Sequence, residues 1–132
     1  MTDILLGIDE SEQRAIALAE TVTSLFEAGD VRAHLLHDFL KNPEGASVIQ
    51  VAAVTRAAEI LEDHGIEVEY HGGSGNPADS IIKTAEELDA EAICVAGRKR
   101  SPTGKMLFGS VSQEVILGTE RPVFVCSAAD DD

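Results

Sequence analysis

"NPADSIIKTAEELDAEAICVAG", residues Asn76 to Gly97, decides the fold. Asn76 sits where a helix cap belongs, Pro77 follows it, and Asp79 falls in the first turn, so a helix starts here. Ile81, Ile82, Ala85 and Leu88 recur at helical spacing and form one apolar stripe. A short polar link then leads into "AICVAG", an apolar run of strand length. Helix followed directly by a buried strand is the second half of a strand–helix–strand unit, which demands a parallel pair.

The same alternation extends in both directions. "DILLGI" (Asp3–Ile8) is an apolar run of the kind buried on both faces of a parallel sheet. After "DES", Ala15, Leu18, Ala19, Val22, Leu25 and Phe26 form a helical stripe that Gly29 ends. "VRAHLLHDF" reads as a second strand. "KNPEG" opens the longest connection, ahead of a helix marked by Val51, Val54, Ala58 and Leu61 and stopped by Gly65. "IEVEYH" alternates, as a strand with one wet face near a sheet edge does. A short fourth helix and "RPVFVCS" complete five strands. The expectation is one doubly wound α/β domain over residues 1–128 with a parallel five-stranded sheet, and a disordered acidic tail at 129–132.

Composition narrows the function classes. Ten basic residues stand against 24 acidic ones in 132, a net charge of −14. Four of the ten, Arg98, Lys99, Arg100 and Lys105, lie in the acid-free stretch "GRKRSPTGKMLFGSVS" (Gly97–Ser112). Elsewhere six basic residues face all 24 acidic ones, a surface that repels nucleic acid and anionic membranes. Only four residues are lysine and the chain closes in "AADDD", which favours adaptation to a potassium-rich cytoplasm over a simple solubility coat. No apolar run reaches the ~20 residues that span a bilayer, and "MTDILLGIDE" lacks the marks of a signal peptide, so a cytoplasmic location is expected. Cys94 and Cys126 each lie in an apolar run, as reduced core residues do.

Several motif resemblances fail on spacing. "GRKRSPTGKM" puts six residues between Gly97 and Gly104, with Met106 after Lys105, so it is not a Walker A loop. "GSGNPA" (Gly73–Ala78) is followed by "AICVAG" where a dinucleotide site needs an acidic strand end, and a plain loop with a capped helix explains it better. His34 and His37 lie three apart on one strand and point to opposite faces; His64 and His71 flank the next strand, so no metal site is expected. No serine shows a nucleophile elbow.

"GSVS" (Gly109–Ser112) is more informative. Gly109 admits close approach to the backbone, Ser110 and Ser112 offer hydroxyls, and the free N–H groups of a helix start favour an anion. Together with Arg98, Lys99, Arg100 and Lys105 they suit phosphate. Asp9, at the end of the first strand, faces the same cleft, either as helix cap or as acceptor from a ribose hydroxyl. Ligands in such sheets bind at the carboxyl ends of the strands.

"DILLGIDES", "HLLHDF", "GNPADSIIKTAEELDAEAICVAGRK" and "LFGSVSQEVILGTERPVFV" together resemble the universal stress protein family over essentially the whole chain. The resemblance implies a Rossmann-like sheet of the adenine-nucleotide alpha-hydrolase type, strand order 3-2-1-4-5, and a homodimer paired through the final strands. It also implies ATP, with magnesium, bound by a signature of Gly, two residues, Gly, nine residues, Gly, then Ser or Thr. Gly109 and Ser110 keep the end of that signature. Its first glycine falls on Ala96 or, with a one-residue deletion, on Gly97; its second then falls on Lys99 or Arg100. By position, Ile8 and Asp9 would contact adenine and ribose, Asp38 replaces an apolar residue that helps hold the base, and Val111 and Ser112 follow the phosphate-binding pair.

Two functions are therefore expected. One is a stress-response module that binds an adenine nucleotide and hydrolyses it slowly or not at all. The other is a nucleotide-free dimeric interaction protein whose basic loop takes an acidic partner or a generic anion. A true phosphotransferase is not expected.

Overall fold

The computed structural model describes residues 1–39, 51–73, 75–99, 106–107 and 109–128. Strand β1 (Thr2–Gly7) leads into α1 (Glu12–Leu25), a 3-10 turn at Ala28–Asp30, and β2 (Val31–Asp38). Helix α2 (Ala52–Asp63), β3 (Glu67–Gly73), α3 (Pro77–Leu88) and β4 (Ala92–Lys99) follow. A two-residue β5 (Met106–Leu107), α4 (Ser110–Gly118) and β6 (Val123–Ala128) complete the chain. Arg100, Lys105 and the acidic tail at 129–132 lie outside the described residues.

The parallel strands run β3-β2-β1-β4-β6, the expected order 3-2-1-4-5 in a five-strand count. The register is Thr2↔Val31 through Gly7↔Leu36, with Ile4↔Ala92 and Ile93↔Val123 on the other side. One strand was not expected: β5 pairs antiparallel with Arg98 and Lys99, the backbone of the basic stretch that prolongs β4 beyond "AICVAG".

Alternation sorts the core into two layers. Ile4, Leu6, Ala33, Leu35, Ala92 and Cys94 pack under α1 and α2. Leu5, Leu36, Ile93 and Val95 pack under α3 and α4 with Ile81, Ala85 and Val115. A Cβ on Gly7 would stand 2.7 Å from Ile81 Cδ1, so the glycine brings α3 close to the sheet just below the cleft. Asn76 caps α3 as expected, its Oδ1 accepting from Asp79 N at 3.0 Å.

Three local expectations need correction. Helix α1 ends at Leu25 with Phe26 as its cap, because Phe26 turns inward against Phe124, and Gly29 sits in the 3-10 turn instead. Leu25, assigned to the buried stripe, is exposed. His71 lies inside β3 rather than at its end, since the strand runs on through Gly72 and Gly73. Cys94 and Cys126 are buried free thiols, and their mutual hydrogen bond, with burial, pushes the Cys94 thiol upward. Among the described residues, no helix is long and apolar enough to cross a membrane.

Candidate functional site

Strand order reverses between β1 and β4, and a cavity of about 430 Å³ opens there at the carboxyl ends of the strands. Its floor is apolar, built by Leu18, Leu36, Ile81 and Val95; its rim carries Asp9, Glu10, Arg14, Asp38 and Ser112. An apolar pocket of this size with a few polar groups at the edge suits a small organic ligand.

Of the residues singled out in the sequence, Ile8, Asp9, Asp38, Ala96, Val111 and Ser112 all line this cavity. Gly97 is buried in β4 beside Ser127 of β6. Gly109 and Ser110 are exposed at the start of α4. Arg98 and Lys99 contribute described backbone to β4.

Most of the rim groups are held by specific bonds. The end of β1 is pinned to β2, with Ile8 N donating to Leu36 O at 2.9 Å and His37 Nδ1 donating to Ile8 O at 2.8 Å. A carbonyl only accepts, so the Nδ1 proton of the buried His37 is fixed by this bond. Asp9 is not the cap of α1; Ser11 is, accepting from Arg14 N. Asp9 instead accepts from Ser11 N at 2.9 Å and from Arg14 Nε at 2.8 Å, which turns its carboxylate along the rim. Asp38 accepts from Ser80 Oγ at 2.5 Å, so the acidic replacement at this position is bound to α3.

Helix α4 meets the cavity end-on. Gly109 is its cap residue and makes no side-chain cap bond, so among the described residues no cap side chain occupies the first-turn N–H groups. Ser112 Oγ donates to Ala96 O at 2.9 Å and locks the first turn to the end of β4. Gly109 has φ −71° and ψ 166°, ordinary extended backbone. A Cβ there would meet nothing within 4 Å. Among the described residues, neither backbone conformation nor packing requires glycine at this position.

Sequence reading sent "LHDF", with His37, to the cleft but missed Arg14, Pro77 and Ile81 as cavity residues. Arg14 carried one signal: a cation in the first turn of a helix opposes the helix dipole and needs an anionic partner. The sequence reading weighed His34 against His37 and rejected that pair, without considering His34 against His71. His34 and His37 do face opposite ways, but β2 and β3 bring His34 Nδ1 to 2.9 Å from His71 Nε2. Burial and then His34 hold His71 below the usual histidine range, against the pull of Glu69.

A sheet wound in this order, with a cavity at its switch point and a helix start on the rim, defines a doubly wound α/β ligand-binding domain. The model of the universal stress protein family matches residues 1–127, and the chain belongs to that family. A relative named universal stress protein from Mycolicibacterium smegmatis is 38% identical over 64 residues, 48% of this chain and 49% of that protein. The chain thus matches about half the length of that curated relative. Among solved structures, a universal stress protein from Archaeoglobus fulgidus is 30% identical, covers 96% of this chain and 98% of its own, and superposes with a TM-score of 0.78. Another from Archaeoglobus fulgidus, in complex with dAMP, is 24% identical over 96% of this chain and 98% of that one, with a TM-score of 0.75.

Proposed function

We propose that this protein binds an adenine nucleotide in the cavity at the β1/β4 switch and acts as a binding or switching module in a stress response. The observation that carries this is the apolar cavity at the strand ends of a chain of this family, lined by Val111 and Ser112 from the first turn of the helix that the exposed Gly109 opens. The dAMP complex of the Archaeoglobus fulgidus protein supports the ligand class.

Charge orients the ligand. Asp9, Glu10 and Asp38 against Arg14 make the β1/β2 side of the rim net acidic, so phosphate is repelled there and sugar hydroxyls are welcome. Phosphate goes to the first turn of α4, with the Ser110 hydroxyl and the backbone of Gly109, Ser110 and Val111. Base and ribose then lie over Ile8 and Asp9, beside Asp38 and the backbone of Ala96 and Gly97. Arg98, Lys99, Arg100 and Lys105 supply the neutralising charge, and ATP with magnesium is the ligand this charge suits. Hydrolysis is slow or absent in this reading, because the rim carboxylates Asp9, Glu10 and Asp38 lie on the β1/β2 side and not at the phosphate end by α4. The partially exposed edge strand β6 pairs with its copy in a cytoplasmic homodimer.

Calorimetric titration of AMP and ATP into wild type and Gly109→Asp tests the proposal. Binding to wild type alone supports it. Equal binding by both removes α4 from the site; binding by neither favours a nucleotide-free interaction protein.

A further inference from the structure

On the lower part of the sheet, on the face that α3 covers higher up, the side chains change from apolar to polar. Leu5 and Leu36 pack under α3, whereas Asp3, His34, Glu69 and His71 follow on the same faces of β1, β2 and β3. None of them lines the nucleotide cavity. His34 is only 2% exposed, so an imidazole is buried in the sheet where an aliphatic side chain would pack without a polar cost.

The hydrogen bonds define what that imidazole presents. His34 Nε2 stands 2.9 Å from Asp3 Oδ1, and a carboxylate only accepts, so Nε2 carries the proton. Nδ1 is left with its lone pair. It faces His71 Nε2 at 2.9 Å and Glu69 Oε1 at 3.9 Å. One ligand atom from each of His34, Glu69 and His71 falls within 4.8 Å of the others. Arg32 engages the other oxygen of the glutamate, with Nε 3.5 Å from Glu69 Oε2, so Oε1 is the one turned to the histidines.

We propose that His34, Glu69 and His71 form a binding site for a divalent transition metal of the zinc type, with Asp3 as the outer carboxylate that fixes His34. Two imidazole nitrogens and a carboxylate are a zinc donor set, with water completing a tetrahedron. A cation at 2.0–2.1 Å from each nitrogen requires them only a few tenths of an ångström further apart than they stand. A carboxylate behind a ligating histidine raises its basicity and holds its tautomer. Asp3, Glu67 and Glu69 outnumber Arg32, the cation among them, so the surrounding field favours a positive ion. Bound metal joins β2 to β3, the strand at the sheet edge.

The test uses full-length protein stripped with chelator and titrated with zinc chloride by calorimetry, with ¹⁵N spectra of the histidine rings. Wild type is expected to bind one equivalent, with ring-nitrogen shifts at His34 and His71 and none at His37 or His64. His71→Ala and Glu69→Ala alter half-buried or exposed positions and leave the fold intact; each weakens binding at least ~10-fold. Asp3→Asn weakens it ~10- to 100-fold and perturbs the His34 tautomer in the metal-free spectrum. Absence of binding at 100 times the protein concentration (about millimolar zinc), or binding unchanged in His71→Ala, overturns the proposal. Zinc held by Cys94 and Cys126 would also overturn it, and shows as binding that persists in all three variants.

Discussion

Ser112 Oγ donates to the carbonyl of Ala96 at 2.9 Å, joining the first turn of α4 to the carboxyl end of β4. The bond is part-buried, it joins two segments that line the cavity, and it sets where the first-turn amides of α4 point. In the proposed function Ser112 acts on the nucleotide by holding the helix, while the exposed Ser110 is the hydroxyl left to reach it.

Ser112→Ala leaves the Ala96 carbonyl without this donor. Loss of a part-buried hydrogen bond of this kind costs about 0.5–1.5 kcal/mol. Urea unfolding should register that loss, together with weaker nucleotide binding. An unchanged midpoint would show that α4 is positioned by its apolar contacts alone.

The two helix starts flanking the cavity should answer differently to substitution. Asn76→Ala removes a working cap from α3 and should cost about 1 kcal/mol. Gly109→Asp instead places a good cap residue where none exists, in open space and ordinary backbone, and should be neutral or stabilising by up to ~1 kcal/mol. Its carboxylate nevertheless repels phosphate. Chemical denaturation of the two variants decides the matter: a Gly109→Asp protein that unfolds more readily than wild type would mean the glycine serves the fold.

A net charge of −14 on 132 residues predicts salt-dependent stability. Raising potassium chloride from about 0.1 M to about 1 M shortens the screening length from ~10 Å to ~3 Å and relieves carboxylate repulsion. The thermal midpoint should rise by several degrees. A flat or falling profile would remove the argument for adaptation to a potassium-rich cytoplasm.

Legibility followed sequence distance. The Asn76–Asp79 cap, the α3 stripe and the buried β1 run were readable because their causes lie within a few residues of one another. The cavity rim was half readable. Asp9, Asp38 and Ser112 stand at strand and helix ends, where the topology alone sends them to the cleft. Ile81 looked like ordinary core, which it also is, and the close approach at Gly7 brings α3 to the cavity floor. His34 and His71 are 37 residues apart, and their meeting depends on the register of β2 against β3. No local pattern encodes that register.

The most direct test of the account is the thermal unfolding midpoint in potassium buffer with and without ATP and magnesium, with AMP and inorganic phosphate as controls. A nucleotide at ~100 times its dissociation constant adds ~2.7 kcal/mol of stability, several degrees for a domain this size. The account predicts that shift with ATP or AMP and not with phosphate alone. No shift with either nucleotide would contradict it.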